Sequence, residues 1–267
     1  MMLRALAIVA SLSGATAAFA TCPAPELGHV DIYPTANVLP ENLLRIYVYY
    51  PRPMAFGEGF ANVRLLDAEG LVVEGAFLPT REELWSPDRR RLTLLLDPGR
   101  VKTGLIASET LGPVLMVGHA YTFEVSARAI DTDDCPLGTT TTFQFTVGPA
   151  DVTPPNPSEW TLTVPAAGTR ELLDVGLGTA HDHLSLAFRL RVLDADGEFV
   201  PGRIDLGANE ANWLFTPQLP WTARPYTLTV EETLEDLAGN RPGVLFDRPA
   251  VQSAIPWQDK LRFTPRS

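Results

Sequence analysis

Apolar and polar residues alternate with period two in short runs along this chain. Ile46, Val48 and Tyr50 alternate with Tyr47 and Tyr49, and Tyr121, Phe123 and Val125 with Thr122 and Glu124. Phe143, Phe145 and Val147 alternate with Gln144 and Thr146, and Phe188, Leu190 and Val192 with Arg189 and Arg191. Successive side chains of an extended segment point to opposite faces, so each run places one face in a core and the other toward water. The 20 glycines and 24 prolines fall between such runs, and no long, capped helical period interrupts them. Many short strands with turn residues between them predict an all-β chain built as sandwiches.

The pattern occurs twice. Val63-Arg64-Leu65-Leu66-Asp67-Ala68-Glu69-Gly70 returns as Leu190-Arg191-Val192-Leu193-Asp194-Ala195-Asp196-Gly197, an offset of 127 residues. Leu94-Leu95-Leu96-Asp97-Pro98 matches Trp213-Leu214-Phe215-Thr216-Pro217 at an offset of 119, and Tyr121–Val125 matches Tyr226–Val230 at 105, where Asp131 also falls on Asp236. The shrinking offset assigns extra residues to the first copy, chiefly within 99–118. Asp151-Val152-Thr153-Pro154-Pro155-Asn156-Pro157 separates the copies, and its prolines predict a stiff, extended linker. The expected organisation is a first domain at 21–150, the linker at 151–157, a second domain at 158–248, and a tail at 249–267 that adds at most one strand.

The N-terminus changes the picture from fold to compartment. Arg4 precedes a small-residue apolar run that ends in Ala18-Phe19-Ala20, the pattern of a secretory signal peptide over 1–20, cleaved after Ala20. Ser11, Ser13 and Gly14 interrupt the run, which falls short of the ~20 apolar residues a membrane span needs. The expected location is the periplasm or the exterior. A net charge of −11 argues against nucleic acid as a partner. In an oxidising compartment the two cysteines, Cys22 and Cys135, are expected to form a disulfide. The alternatives are a lipid anchor on Cys22, although Phe19-Ala20-Thr21 lacks the usual Leu and small residue before it, and a shared metal, although two ligands rarely close a site.

Thr153-Pro154-Pro155, the hairpin Leu193–Gly197, Tyr226–Val230 and Glu235-Asp236-Leu237-Ala238-Gly239-Asn240 resemble the bacterial Ig-like domain of the surface-layer SbsA type. In the first copy Asp133-Asp134-Cys135 stands where Ala-Gly-Asn is expected. The resemblance implies two tandem immunoglobulin-like β-sandwich domains with a spacer, surface-layer or adhesive role. The first copy is also similar to periplasmic CopC-type copper-binding domains, through Asp133-Asp134-Cys135-Pro136 and Phe143-Gln144-Phe145-Thr146-Val147. That family's copper histidines are replaced here by Cys22 and Cys135, and the resemblance places those two residues close together.

Candidate chemistry is sparse. His181 and His183, flanking Asp182, would share a face if extended and could hold Zn or Cu. Asp131, Asp133 and Asp134 offer oxygen ligands for Ca²⁺, as do Asp194 and Asp196, whose spacing a hairpin explains better. Asp88-Arg89-Arg90-Arg91 reads as a solvated turn before an anion site. Tyr47 and Tyr49 would project together from one strand face as a glycan platform, unless the 99–118 insertion covers them. Trp213 matches Leu94 and is expected in the core; Trp85 and Trp221 flank turns. His29 and His119 are isolated. No Gly-x-Ser-x-Gly, His-Glu-x-x-His or phosphate-binding glycine loop is present, and a carboxylate pair cannot be recognised without its distance. The expected role is non-catalytic and cofactor-free, with an unassigned protein or a cell-envelope glycan as partner.

Overall fold

The computed structural model describes residue 22, residues 28–101, residue 110, and residues 112–247 and 257–267. The expected signal peptide at 1–20 lies outside the described residues, as do positions 102–109 of the insertion.

The first sandwich comprises β1 (Asp31–Tyr33), β2 (Val38–Pro40), β3 (Arg45–Tyr49), β4 (Val63–Leu66), β5 (Leu84–Trp85), β6 (Arg91–Leu95), β7 (Ala120–Val125) and β8 (Thr141–Gly148). Its two sheets run β1-β3-β6-β5 and β2-β8-β7-β4, antiparallel except where β2 pairs with β8. The second comprises β9 (Thr161–Thr163), β10 (Leu173–Gly176), β11 (Leu190–Leu193), β12 (Gly202–Leu206), β13 (Asn212–Pro217), β14 (Tyr226–Val230) and β15 (Lys260–Phe263). Its sheets run β12-β13-β10-β9 and β11-β14-β15. Each sheet pair encloses its own core, so the fold is all-β, of immunoglobulin-like sandwiches.

The alternation in the sequence explains these cores. Tyr121, Phe123 and Val125 of β7 point inward while Thr122 and Glu124 do not, and Leu92 and Leu94 of β6 are fully buried. Burying one such side chain stabilises by roughly 1.5–3 kcal/mol. The internally matched segments occupy corresponding strands. β4 pairs with β7 as β11 pairs with β14, and β3 pairs with β6 as β10 pairs with β13. In the second sandwich β15 takes the place beside β14 that β8 holds beside β7, and Phe263 enters the second core. Lys260–Phe263 of the C-terminal tail is therefore an integral strand of that sandwich.

One element differs from the period-two reading. Phe188 and Arg189 belong to a helix, His183–Arg189, and the strand begins only at Leu190. Asp182 caps the helix: its side chain accepts from the Ser185 N–H at 2.8 Å, satisfying a donor the first turn leaves unpaired. Leu186 and Leu190, four residues apart, turn inward together, while Phe188 is 58% exposed.

Both matched hairpins use the same turn. The Asp67 carboxylate accepts from the Glu69 and Leu71 N–H groups, and Asp194 accepts from Asp196 and Glu198. Gly70 and Gly197 complete the turns at φ 80° and 85°. Nothing lies within 4 Å of a Cβ added at either glycine, so a substitution there meets backbone strain alone. Gly197→Ala is expected to lower stability by about 1–2 kcal/mol, read from a urea midpoint, with the sheets intact.

The insertion is anchored where it leaves and rejoins the sandwich. Arg100, 9% exposed, donates from Nε to Gly112 O, from Nη1 to Glu74 O and Gly75 O, and from Nη2 to Pro113 O, at 2.9–3.2 Å. A guanidinium suits this task because its donors form a fixed planar fork. Arg100→Met strands those carbonyls and should cost about 2 kcal/mol in the same urea measurement. Cys22 and Cys135 form a disulfide, with Cα atoms 5.4 Å apart across 113 residues of chain.

Candidate functional site

The residues with chemical potential gather at two places: a pair of matching turns, and the seam between the sandwiches. In the first turn the Asp131 Oδ1 accepts from the Asp133 and Cys135 N–H groups, both at 2.9 Å. In the second, the Asp236 Oδ1 accepts from Ala238 at 2.8 Å and Asn240 at 2.9 Å. Asp134 at φ 59° stands where Gly239 stands at φ 77°. The Asp-x-Ala-Gly-Asn run is thus a backbone-fastening device. Its departure in the first copy exchanges one fastener for another. Cys135 carries the disulfide, whereas the Asn240 side chain donates to Asp236 and Asp151 O and accepts from the Phe246 N–H.

These contacts occupy Asp131 among the calcium candidates. The remaining Asp131 oxygen pairs with Arg52 at 2.7 Å, and Asp133 and Asp134 are exposed. Asp131 therefore has its oxygens committed to N–H donors and a cation. The Asp194 carboxylate holds its own hairpin, and Asp196 pairs with Arg224 through two contacts of 2.9 Å. Among the described residues no three His, Cys, Asp or Glu side chains converge as a metal site requires.

The histidine candidates diverge. His181 is fully buried, pairs as a β-bridge with Asp236, and donates from Nδ1 to Thr179 O at 3.0 Å. Met54 holds the corresponding bridge to Asp131 in the first sandwich. Burial pushes the His181 imidazole down to about 4. His183 opens the helix and stacks on Tyr33 with ring centroids 3.7 Å apart. The expected shared face fails because the chain turns from bridge to helix between the two residues.

Asp182 lies between them and points across the seam. Its carboxylate accepts from the Tyr47 hydroxyl at 2.8 Å and lies 3.5 Å from Arg45 Nη1. Arg45 also pairs with Glu235, which Arg241 holds from its other side at 2.8 Å and 3.0 Å. The Asp182 carboxyl is raised on balance: burial pushes it up most, and Arg45, Tyr47 and Ser185 offset only part of that. Burial also raises the Tyr47 phenol, reinforced by the Asp182 charge. For Arg45, burial opposes the charge, but Asp182, Tyr47 and Glu235 together hold it protonated. Desolvation raises Asp236 to about 7, with Asp151 adding to the effect and Asn240 opposing it.

The glycan platform is corrected by this arrangement. Tyr47 is 3% exposed, because the face of β3 that does not meet its own core meets the second sandwich. Tyr49 is half-buried and packs edge-on to His183 at 5.4 Å. The residues that cover them are Asp182 and His183, the cap and first residue of the helix at 183–189.

Glu210 carries no signal in the sequence, yet it closes the seam. It is 1% exposed and accepts from the Thr35 N–H at 2.9 Å and hydroxyl at 3.1 Å. Asn209 and Glu210 are both left-handed, at φ 60° and 52°, a conformation that costs roughly 1–2 kcal/mol for a residue with a Cβ. Leu237 of the second turn packs into the first core, and its carbonyl accepts from the Leu44 N–H at 2.9 Å. The linker is fastened too. Asn42 exchanges two hydrogen bonds of 2.8 Å with the Asp151 backbone, and Pro155 and Pro157 are buried. The basic run at 88–91 forms a turn in which Asp88 accepts from Ser86 and Arg90, while Arg89 lies over the exposed Phe56 ring. Trp213 and Trp221 are core residues, and Trp85 packs partly against the first core.

No described helix is long and apolar enough to cross a membrane. No protein-family model matches the chain. No curated protein matches it. Among solved structures, native alpha-2-macroglobulin from Escherichia coli spanning domains MG0-NIE-MG1 is similar at 10% identity over 88% of this chain and 71% of that one, with a TM-score of 0.28. The N-terminal Ig1-2 module of the Drosophila receptor protein tyrosine phosphatase DLAR is similar at 12% identity over 77% of this chain and 92% of that one, with a TM-score of 0.23. Murine CEACAM1b is similar at 14% identity over 76% and 92%, with a TM-score of 0.18. Likeness at this level assigns neither a family nor an activity.

Proposed function

We propose that this chain is an exported, non-catalytic binding or structural module, in which two copies of one sandwich pattern act as a single rigid body. The partner is a protein or a cell-envelope glycan. The observation that carries this reading is the seam. Arg45, Tyr47, Asp182, Glu210 and Glu235 are spent on each other or on Thr35, Ser185 and Arg241. Groups that would otherwise be candidates for acid, base or ligand roles thereby serve orientation. The disulfide supports an oxidising compartment. The matched strand pairings and the paired Asp131 and Asp236 turns support duplication of one unit.

The test is co-sedimentation of the purified mature chain with isolated cell-envelope fractions, run beside a panel of hydrolase substrates. The reading predicts retention in the envelope pellet and no turnover. Turnover that Asp182→Asn or Glu210→Gln abolishes would overturn it.

A further inference from the structure

A cleft of about 630 Å³ opens along the seam, lined by Arg45, Tyr47, Asp182, Phe188, Arg191 and Arg241 among others. Small-molecule sites of roughly 300–1,000 Å³ favour domain interfaces and combine an apolar wall with a few converging polar groups. Here the wall is Phe188, 58% exposed on the helix at 183–189.

The charge in the cleft is unbalanced. Arg45, Arg189, Arg191 and Arg241 line it, and the carboxylates they contact are Asp182, Glu231 and Glu235. The surplus is one positive charge, on a chain whose net charge is −11. Arg45 and Arg241 are committed to the seam. Arg191 is not: its side chain is 57% exposed, and its approach to Glu231 is 3.6 Å, beyond hydrogen-bond length. Glu231 is shared with Arg189 at 2.9 Å, which leaves two guanidinium forks competing for one carboxylate.

We propose that this cleft binds a ring-bearing carboxylate, with the carboxylate on Arg191 and Arg189 and the flat apolar face of the ring against Phe188. Guanidinium forks match a carboxylate in two parallel hydrogen bonds, and an exposed aromatic ring supplies apolar contact at low entropic cost. A uronic-acid saccharide and an aromatic acid share this chemistry. The proposal deepens the binding-module reading and rests on it.

The test is isothermal titration of the mature chain with a galacturonate trisaccharide, 3-phenylpropionate, acetate and a neutral trisaccharide. One or both ring acids should bind saturably, and the one that binds identifies the source; acetate and the neutral sugar should not. Arg191→Ala should weaken binding about tenfold and Phe188→Ala about fivefold. Glu231→Gln should tighten it about threefold, because it releases both forks, an effect that a purely structural role for Glu231 would not produce. Phe188 and Arg191 are exposed, so unchanged urea midpoints confirm that these variants fold. Absence of binding by both ring acids, binding of acetate as tight as theirs, or affinities unmoved by Arg191→Ala and Glu231→Gln would overturn the proposal. None of these outcomes bears on the envelope retention that tests the broader reading.

Discussion

Arg45→Ala is expected to lower stability by about 3–5 kcal/mol, the cost of leaving a buried carboxylate without its cation. The side chains of Asp182 and Glu235 are 7% and 12% exposed. Glu235 keeps Arg241, whereas Asp182 keeps only neutral donors, Tyr47 and Ser185. The loss therefore falls mainly on Asp182. Adding Asp182→Asn to Arg45→Ala should recover part of it, because the substitution removes the uncompensated charge, keeps Oδ1 as acceptor for the Ser185 N–H, and turns its NH2 to the Tyr47 hydroxyl, whose oxygen can accept. A urea series on the two single variants and the double variant reads this directly. A loss below about 1 kcal/mol for Arg45→Ala would mean that the pair behaves as an exposed surface bridge.

Stability should depend on pH through two neighbouring groups that work in opposite directions. His181, folded at about 4 against an ordinary 6.5, stays neutral while the unfolded chain takes up a proton. Its contribution is complete above pH 6.5 and is lost as pH falls toward 4, on the order of 3 kcal/mol. Asp236, folded at about 7 against 3.8, stays protonated while the unfolded chain ionises. Its contribution is complete below pH 3.8 and is lost as pH rises toward 7, on the order of 4 kcal/mol. Between pH 4 and 6.5 the two slopes oppose each other in the wild type. His181→Met places at this bridge the residue type that Met54 supplies in the first sandwich, and leaves the Asp236 slope unopposed. Relative to the wild type, that variant should gain stability on acidification from pH 7 to 4. Asp236→Asn should lose stability over the same range. Denaturant midpoints across pH 4–7, taken as differences from the wild type, cancel the other titrating groups. Two profiles of the same sign would contradict the assignment.

What could be read from the sequence was the part decided locally. The Asp67–Gly70 and Asp194–Gly197 turns are legible because carboxylate, N–H groups and left-handed glycine all lie within a few residues. The inward set of β7 is legible because one of its faces meets a core and the other does not. On β3 the same reasoning misplaces Tyr47. A polar face covered by a distant segment and a face in water produce the same alternation, and Asp182 lies 135 residues away. The helix at 183–189 is hidden because Phe188, Leu190 and Val192 keep period two across its C-terminus, while the cap at Asp182 sits between His181 and His183, which read as metal ligands on an extended segment. Glu210 had no local mark at all. Its left-handed backbone is tolerated because its carboxylate is held by Thr35, 175 residues earlier.

The seam is the central claim, and rotational diffusion tests it most directly. Backbone ¹⁵N relaxation of the purified protein should give one tumbling time and one diffusion tensor for strands of both sandwiches. Separate, shorter times for β3–β8 and β10–β14 would show two bodies moving independently, and would contradict the account.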